Sequence, residues 1–281
     1  IPVFQRDYSW TEAQCAQLLV DVQRVASRPY GGTHFVGSVV CVASSDQSAV
    51  LPQWVVIDGQ QRLTTCTVLL AVLRNRLRGL SGTLSITDSP EAIEEQFLLN
   101  KFAPPGLRAR LALRGDDNTV LQQLLSGQAL PDKPLNRVVA NARYFESALE
   151  HVDPLWVLNG LRRLQVVSVV LKPGQDNPQL IFESLNSTGL ALTQADLVRN
   201  YVLMGHDEPQ QSEWYETWWR PLEKAFGSNY RAGFDNFLRD FLTLELRPPR
   251  PLKLDSVYRE FRHWYPTPGD PSKEAENRLR L

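Results

Sequence analysis

Residues rich in Val and Ile cluster in three short runs, 35–42, 50–57 and 166–171, while most other apolar positions recur at helical spacing. Runs of that length and composition predict strands, and the polar stretch 44–48 between the first two predicts a hairpin. A helix is predicted over 60–78. Leu63, Thr67, Leu70, Leu73 and Leu77 fall along one stripe, Arg74 and Arg78 lie off it as a solvated face, and the glycines at 79 and 82 end it. Thr11 opens an earlier helix that runs to about Ala26. Residues 88–165 read as an inserted helical layer, broken at Pro104-Pro105, Gly115 and 131–134. Asn177-Pro178 starts a helix with a cap and a proline in its first turn; it ends near Asn186. Thr193 starts the next, with Asp196 at the capping-box position. The pattern predicts an α+β chain: a small mixed sheet with flanking helices in 1–205, then a helical extension in 206–281.

Composition narrows the class. With 43% hydrophobic and 22% charged residues over 281 positions, a sizeable core is expected. No apolar run approaches the roughly 18–20 residues of a membrane span. The first residue is Ile1, with no charged-then-apolar leader, so the expectation is a chain that starts inside a longer protein and carries no signal peptide. Cys15, Cys41 and Cys66 are scattered and form no CxxC or Cys/His cluster, which argues against zinc and for a reducing cytoplasm. Net charge is −1, so nucleic acid would have to be met through local patches. Of 30 cationic residues 24 are Arg, which suits bidentate phosphate or carboxylate contacts. Neither a GxxxxGK[ST] loop nor a GxGxxG turn after a strand is present, which disfavours the usual nucleotide folds.

Candidate chemistry concentrates at 54–65, Trp-Val-Val-Ile-Asp-Gly-Gln-Gln-Arg-Leu-Thr-Thr. A strand ends in an Asp-Gly turn that opens straight into a helix, gathering Asp58, Gln60, Gln61 and Arg62. Backbone N–H groups at a helix start form an anion site, and a guanidinium in the first turn points to phosphate. The same residues also fit a structural reading, with Asp58 and Gln61 forming a capping box and Arg62 an ordinary solvated charge. A second stretch, Ile181-Phe-Glu-Ser-Leu-Asn-Ser-Thr-Gly, places Glu183 and Asn186 on one helical face. Hard oxygens of that kind suit Mg²⁺, and the alternative is a plain helix-turn-helix corner. On the opening extended segment, Gln5 and Arg6 could reach phosphate, while Tyr8 and Trp10 could stack on a base or simply pack.

Taken in order, Ile-Pro-x-Phe-Gln-Arg-x-Tyr-x-Trp, Ile-Asp-Gly-Gln-Gln-Arg-Leu-Thr-Thr, and Phe-Glu-Ser-Leu-Asn-Ser-Thr-Gly with Asp-Leu-Val-Arg-Asn resemble the N-terminal domain of GmrSD-type restriction proteins. That domain is similar to the ParB/sulfiredoxin nucleotidases, and the likeness runs from residue 1 to about 205. It implies a ParB-like sheet and a cytoplasmic, Mg²⁺-dependent hydrolase of GTP or another nucleoside triphosphate. Its partners would be double-stranded, modified DNA and a downstream HNH nuclease domain of the same protein, which this stretch of chain does not contain. Carried over by motif, Asp58, Gln61 and Arg62 are the catalytic group. Gln5, Arg6, Gly59, Gln60, Thr64, Thr65, Asn186, Ser187 and Thr188 would hold nucleotide, and Asp58, Glu183 and Asn186 the metal. The alternative is a non-hydrolytic module that binds modified DNA with nucleotide as a switch. In the phosphorothioate-sensing (SspE-like) branch a less polar pocket would come from Pro2, Phe4, Tyr8, Trp10, Tyr30 or Phe35.

Overall fold

The structure, a computed structural model, describes residues 1–29, 31–44, 52–80, 84–172, 175–186 and 192–265. The chain forms two compact units: Ile1 with Asp7–Pro173, and Pro2–Arg6 with Gly174–Leu281. The class is α+β, as the pattern predicted.

In the first unit the chain runs α1 (Glu12–Ala26), β1 (His34–Ala43), β2 (Trp54–Asp58), α2 (Gln60–Arg78), α3 (Pro90–Ile93), α4 (Gly115–Leu125), α5 (Arg137–Ala148), α6 (Pro154–Leu161) and β3 (Leu164–Leu171). The sheet order is β2-β1-β3, with β1 antiparallel to β2 and parallel to β3. The expected hairpin is therefore present, closed beyond the ladder by the Ser44 N–H on the Gln53 carbonyl at 3.0 Å. Two irregularities matter later. Between Phe35 and Ser38 the β1–β3 register gains a residue on β1, and Ile57 is an extra residue on β2 where Val40 and Cys41 face Asp58 and Val56. Bulges of this type bend a strand and re-aim the side chains after it.

The start and stop of α2 match the predicted 60–78, but the predicted stripe does not describe its buried surface. Thr64, Thr65, Val68, Leu69, Ala71, Val72, Leu73 and Leu77 are buried, while Leu63, Thr67 and Leu70 are only partly so. Helices α3 to α6 all pack on α2, so it is enclosed on most sides, and a one-stripe pattern applies to a helix with a solvent face. Arg74, expected on such a face, is fully buried. Its guanidinium donates to the Leu124 and Leu125 carbonyls at 2.9 and 2.7 Å and pairs with Glu94 at 3.0 Å. Arg78 is exposed, as predicted. The helices between 88 and 165 share one core with the rest of the unit: Ile93, Leu121, Val138, Phe145 and Val157 pack with Leu18, Val22, Val68 and Leu69.

The segment Asp7–Trp10 is tied into this core by polar contacts. The Tyr8 hydroxyl meets Thr65 Oγ1 at 2.7 Å and accepts from Asn141 Nδ2 at 2.8 Å, and burial holds the phenol in its neutral form. The Tyr8 N–H donates to Asp117 at 3.1 Å. Burial and the neighbouring Asp7 push the Asp117 carboxyl up to about 6. Because the folded state favours the protonated acid, this contribution to stability is complete below about pH 4 and is lost as pH rises through about 6. Unfolding free energy is therefore expected to fall by on the order of 2 kcal/mol across that window. Asp117→Asn, which keeps an oxygen for the Tyr8 N–H, should flatten the slope; urea melts at a series of pH values would check it.

The second unit is helical: α7 (Pro178–Asn186), α8 (Gln194–Leu203), α9 (Glu208–Trp214), α10 (Arg220–Phe226), α11 (Tyr230–Leu246) and α12 (Val257–Trp264). Both predicted caps are found. Asn177 accepts from the Gln179 N–H at 3.0 Å, and Thr193 and Asp196 exchange bonds at 3.1 and 3.3 Å. The start of α8 is held a second time by Asp235 on α11, which accepts from the Gln194 and Ala195 N–H groups at 3.2 and 2.7 Å. Its core is aromatic, with Phe234 against Trp219, Tyr230 and Phe226 at ring separations of 5.3, 5.2 and 5.3 Å.

Candidate functional site

Asp58 closes β2, Gly59 turns the chain, and α2 begins at Gln60. Gly59 sits at φ +95°, a left-handed conformation that side chains resist, and a Cβ there would lie 2.9 Å from the Ser38 carbonyl oxygen. The turn therefore depends on glycine twice, for its dihedral and for its approach to β1. No side chain caps α2 at Gly59, so the capping box between Asp58 and Gln61 does not form. Gln61 is used otherwise. Its Oε1 accepts from the Ser9 and Trp10 N–H groups at 2.9 and 3.2 Å, and its Nε2 donates to the Asp7 carbonyl at 3.3 Å.

Arg62 folds back across the bulge in β1. One guanidinium nitrogen donates to the Ser38 carbonyl, and the other stands 3.9 Å from Asp58 Oδ2. Gly37, at φ +113° within the bulge, leaves the space the guanidinium fills: a Cβ there would be 2.6 Å from an Arg62 nitrogen. Both charged side chains remain partly open, Arg62 at 27% and Asp58 at 20% exposure. A separation of 3.9 Å is the loose limit of an ion pair, so each group retains capacity for a ligand. Beside them, burial raises the Cys66 thiol to about 11, although Arg62 pulls it the other way, so the sulfur stays protonated.

The two glycines support distinct predictions. Gly59→Ala meets backbone that cannot move aside, and a loss of about 1–3 kcal/mol in unfolding free energy is expected. Gly37→Ala is strained by its own left-handed dihedral and also meets the end of a flexible side chain, so it should displace Arg62 as well as cost stability. Urea melts of both variants, read beside nucleotide binding, would separate the effects.

The remaining predicted residues are distributed as follows. Gln60, Thr64 and Thr65 are buried in the first unit, and the Thr65 hydroxyl donates back to the Gln61 carbonyl at 2.8 Å. Trp10 is half-buried against that core, whereas Phe35 on β1 is 59% exposed. Pro2, Phe4, Gln5 and Arg6 belong to the second unit, where Phe4 and Gln5 are buried and the Phe4 carbonyl accepts from Arg199 at 3.0 Å. Glu183 is also in the second unit and is fully engaged. Its Oε1 accepts from Tyr258 and from Gln179 at 2.9 Å, and its Oε2 pairs with Arg262 at 3.1 Å. Glu183, Tyr258 and Arg262 line a cleft of about 470 Å³ together with Tyr201, Arg259 and His263. Asn186 closes α7, and its side chain, with Ser187, Thr188 and Tyr30, lies outside the described residues.

Sequence reasoning missed the ties that support these groups. Arg199 is nearly fully buried and pairs with Asp196 at 3.2 Å and Glu223 at 2.6 Å. Two hints were present, its position three residues after Asp196 on the same helical face and its place in the Asp-Leu-Val-Arg-Asn motif. Nothing in the sequence marks Asn141, Asp235 or Arg74.

Among the described residues no three His, Cys, Asp or Glu side chains converge as a metal cluster. Mg²⁺ asks for less, usually one or two carboxylates beside substrate oxygens and water. Asp58, partly open and only loosely paired, fits that donor set. Glu183 already holds a cation and two hydrogen-bond donors, so it fits less well. No helix among the described residues is long and apolar enough to cross a membrane.

No curated protein matches the chain at a significant level. Residues 1–203 match the GmrSD restriction endonuclease N-terminal domain, so the chain belongs to that family of restriction proteins.

Proposed function

We propose that the chain binds and hydrolyses a nucleoside triphosphate at the start of α2, and that this governs a nuclease elsewhere in the same restriction protein in response to modified DNA. The observation that carries the reading is the loose pairing of Arg62 and Asp58, both partly open, beside the start of α2 at Gly59. A guanidinium and backbone N–H groups on one side favour phosphate oxygens. A carboxylate among them would repel a triphosphate unless a cation or a water lies between, so Asp58 is assigned to holding Mg²⁺ or the attacking water. When bound, Mg²⁺ would neutralise phosphate charge as the terminal group is transferred.

The protein's own part is positioning. Arg62 would hold phosphate oxygens and stabilise the charge that grows on them. Asp58 would accept a hydrogen bond from water and orient it. Gln61 acts indirectly, by fixing Asp7–Trp10 against the start of α2.

Phosphate release would be measured with each of the four nucleoside triphosphates, with and without Mg²⁺, and with plain or modified duplex present. Mg²⁺-dependent release that changes with modified DNA is expected. No release from any of the four would remove the hydrolytic reading. Tight, salt-sensitive binding to the modified duplex in that case would leave a module using nucleotide as a switch.

A further inference from the structure

Strand β3 carries an open edge of unusual composition. It lies outermost in the order β2-β1-β3, and among the described residues no strand pairs with its outer side. Its eight residues, Leu-Gln-Val-Val-Ser-Val-Val-Leu, hold no charge, no proline and no glycine. Val166, Val167 and Val170 are 52%, 53% and 52% exposed. The opposite edge, β2, is five residues long and ends in Asp58. Free edges are normally protected by a charge, a proline, a bulge or brevity, because their unpaired N–H and C=O groups template another strand. β3 has none of these protections and is about 26 Å long at a rise of roughly 3.3 Å per residue.

We propose that this edge pairs antiparallel with the same edge of a second copy of the chain, joining two three-stranded sheets into one of six strands. The choice of a second copy follows from the sequence. A two-fold axis normal to the sheet keeps each side chain on its own face, so the axis must pass beside a single residue and its copy. Val166-Val167-Ser168-Val169-Val170 reads the same in both directions about Ser168. With Ser168 on the axis, Val166 faces the second copy's Val170, Val167 faces its Val169, and the two serines meet. Apolar then opposes apolar at four of the five positions, which is the unit of sheet stabilisation. Moving the axis to Val167 sets Val166 against Ser168 and Val169 against Gln165, a poorer match. A single strand pair buries less than the roughly 1,200 Å² of a tight interface, so dissociation in the micromolar range is expected.

Sedimentation equilibrium of the full chain over a concentration series reaching high micromolar would test this. The unaltered protein should form a dimer. Val166→Lys with Val170→Lys should give a monomer, because like charges would oppose each other, and the unfolding transition should stay in place since both positions are half exposed. Val166→Lys with Val170→Glu sets opposite charges across the same axis and should restore the dimer. A chain that stays monomeric overturns the proposal, including one whose edge takes a strand of another protein instead. So does a dimer that tolerates the lysine pair, or one that the charge-swapped pair fails to restore.

Discussion

Arg62→Ala is expected to lower kcat for triphosphate hydrolysis on the order of 10²–10³-fold, the usual cost of removing one preorganised donor to a developing negative charge. Its folded-state contacts are few: the Ser38 carbonyl and the loose pair with Asp58. Because the side chain is partly open, those contacts contribute little to stability, and the unfolding midpoint should move only slightly. Arg62→Lys distinguishes charge from geometry. Lysine restores the positive charge but presents a point donor in place of a planar fork, so partial recovery is expected, with a larger effect on KM than on kcat. Asp58→Asn supplies the complementary test. If Asp58 holds Mg²⁺ or the attacking water, the variant loses turnover while still binding nucleotide, which the loss of a structural cap would not produce. Steady-state phosphate release together with nucleotide titration by calorimetry would read all three variants. Normal turnover by Arg62→Ala would transfer the reaction away from the start of α2.

How far the sequence revealed this arrangement differs between backbone and side chains. The strand, turn and helix of residues 54–78 were legible because each is fixed locally. β-branched residues favour extension, Gly59 supplies a dihedral that other residues avoid, and Gly79 stops the helix. The caps at Asn177 and Thr193 were legible for the same reason, since donor and acceptor lie within three residues. What Gln61, Tyr8 and Arg74 do was not legible. Gln61 binds the backbone of Asp7, Ser9 and Trp10, Tyr8 meets Asn141, and Arg74 reaches Leu124 and Leu125. Those partners lie 50 or more residues away, and a polar residue inside a helical pattern gives no sign of whether its partner is water or a distant carbonyl. The candidate site shows the same division. The Asp-Gly-Gln-Gln-Arg motif marked the turn at Gly59, but the bulge at Gly37 that seats Arg62 follows from sheet register, which local pattern does not fix.

Arg74 carries the largest expected effect on stability. Helix α4 ends with carbonyls that have no partner within the helix, as every helix does. Here the last of them face the interior of the unit, and Arg74 on α2 supplies the donors, while Glu94 balances its charge from a partly exposed position. Removing the guanidinium would strip the Leu125 carbonyl of its donor inside the core, leave the Leu124 carbonyl with only the Gly127 N–H at 3.2 Å, and open a cavity along the arginine stem. Arg74→Ala is therefore expected to lower unfolding free energy by about 3–5 kcal/mol, the range for breaking a buried charged contact from one side. Arg74→Met fills the stem but supplies no donor, so the part of the loss it recovers measures packing and the remainder measures the carbonyls. Arg78 provides the control. It pairs with the same Glu94 at 2.7 Å but is exposed, and Arg78→Ala should cost no more than about 1 kcal/mol. Urea unfolding of the three variants would order them Arg74→Ala, Arg74→Met, Arg78→Ala from most to least destabilised. An Arg74→Ala protein as stable as Arg78→Ala would mean that water reaches the end of α4, and that the core around α2 is not closed as the structure has it.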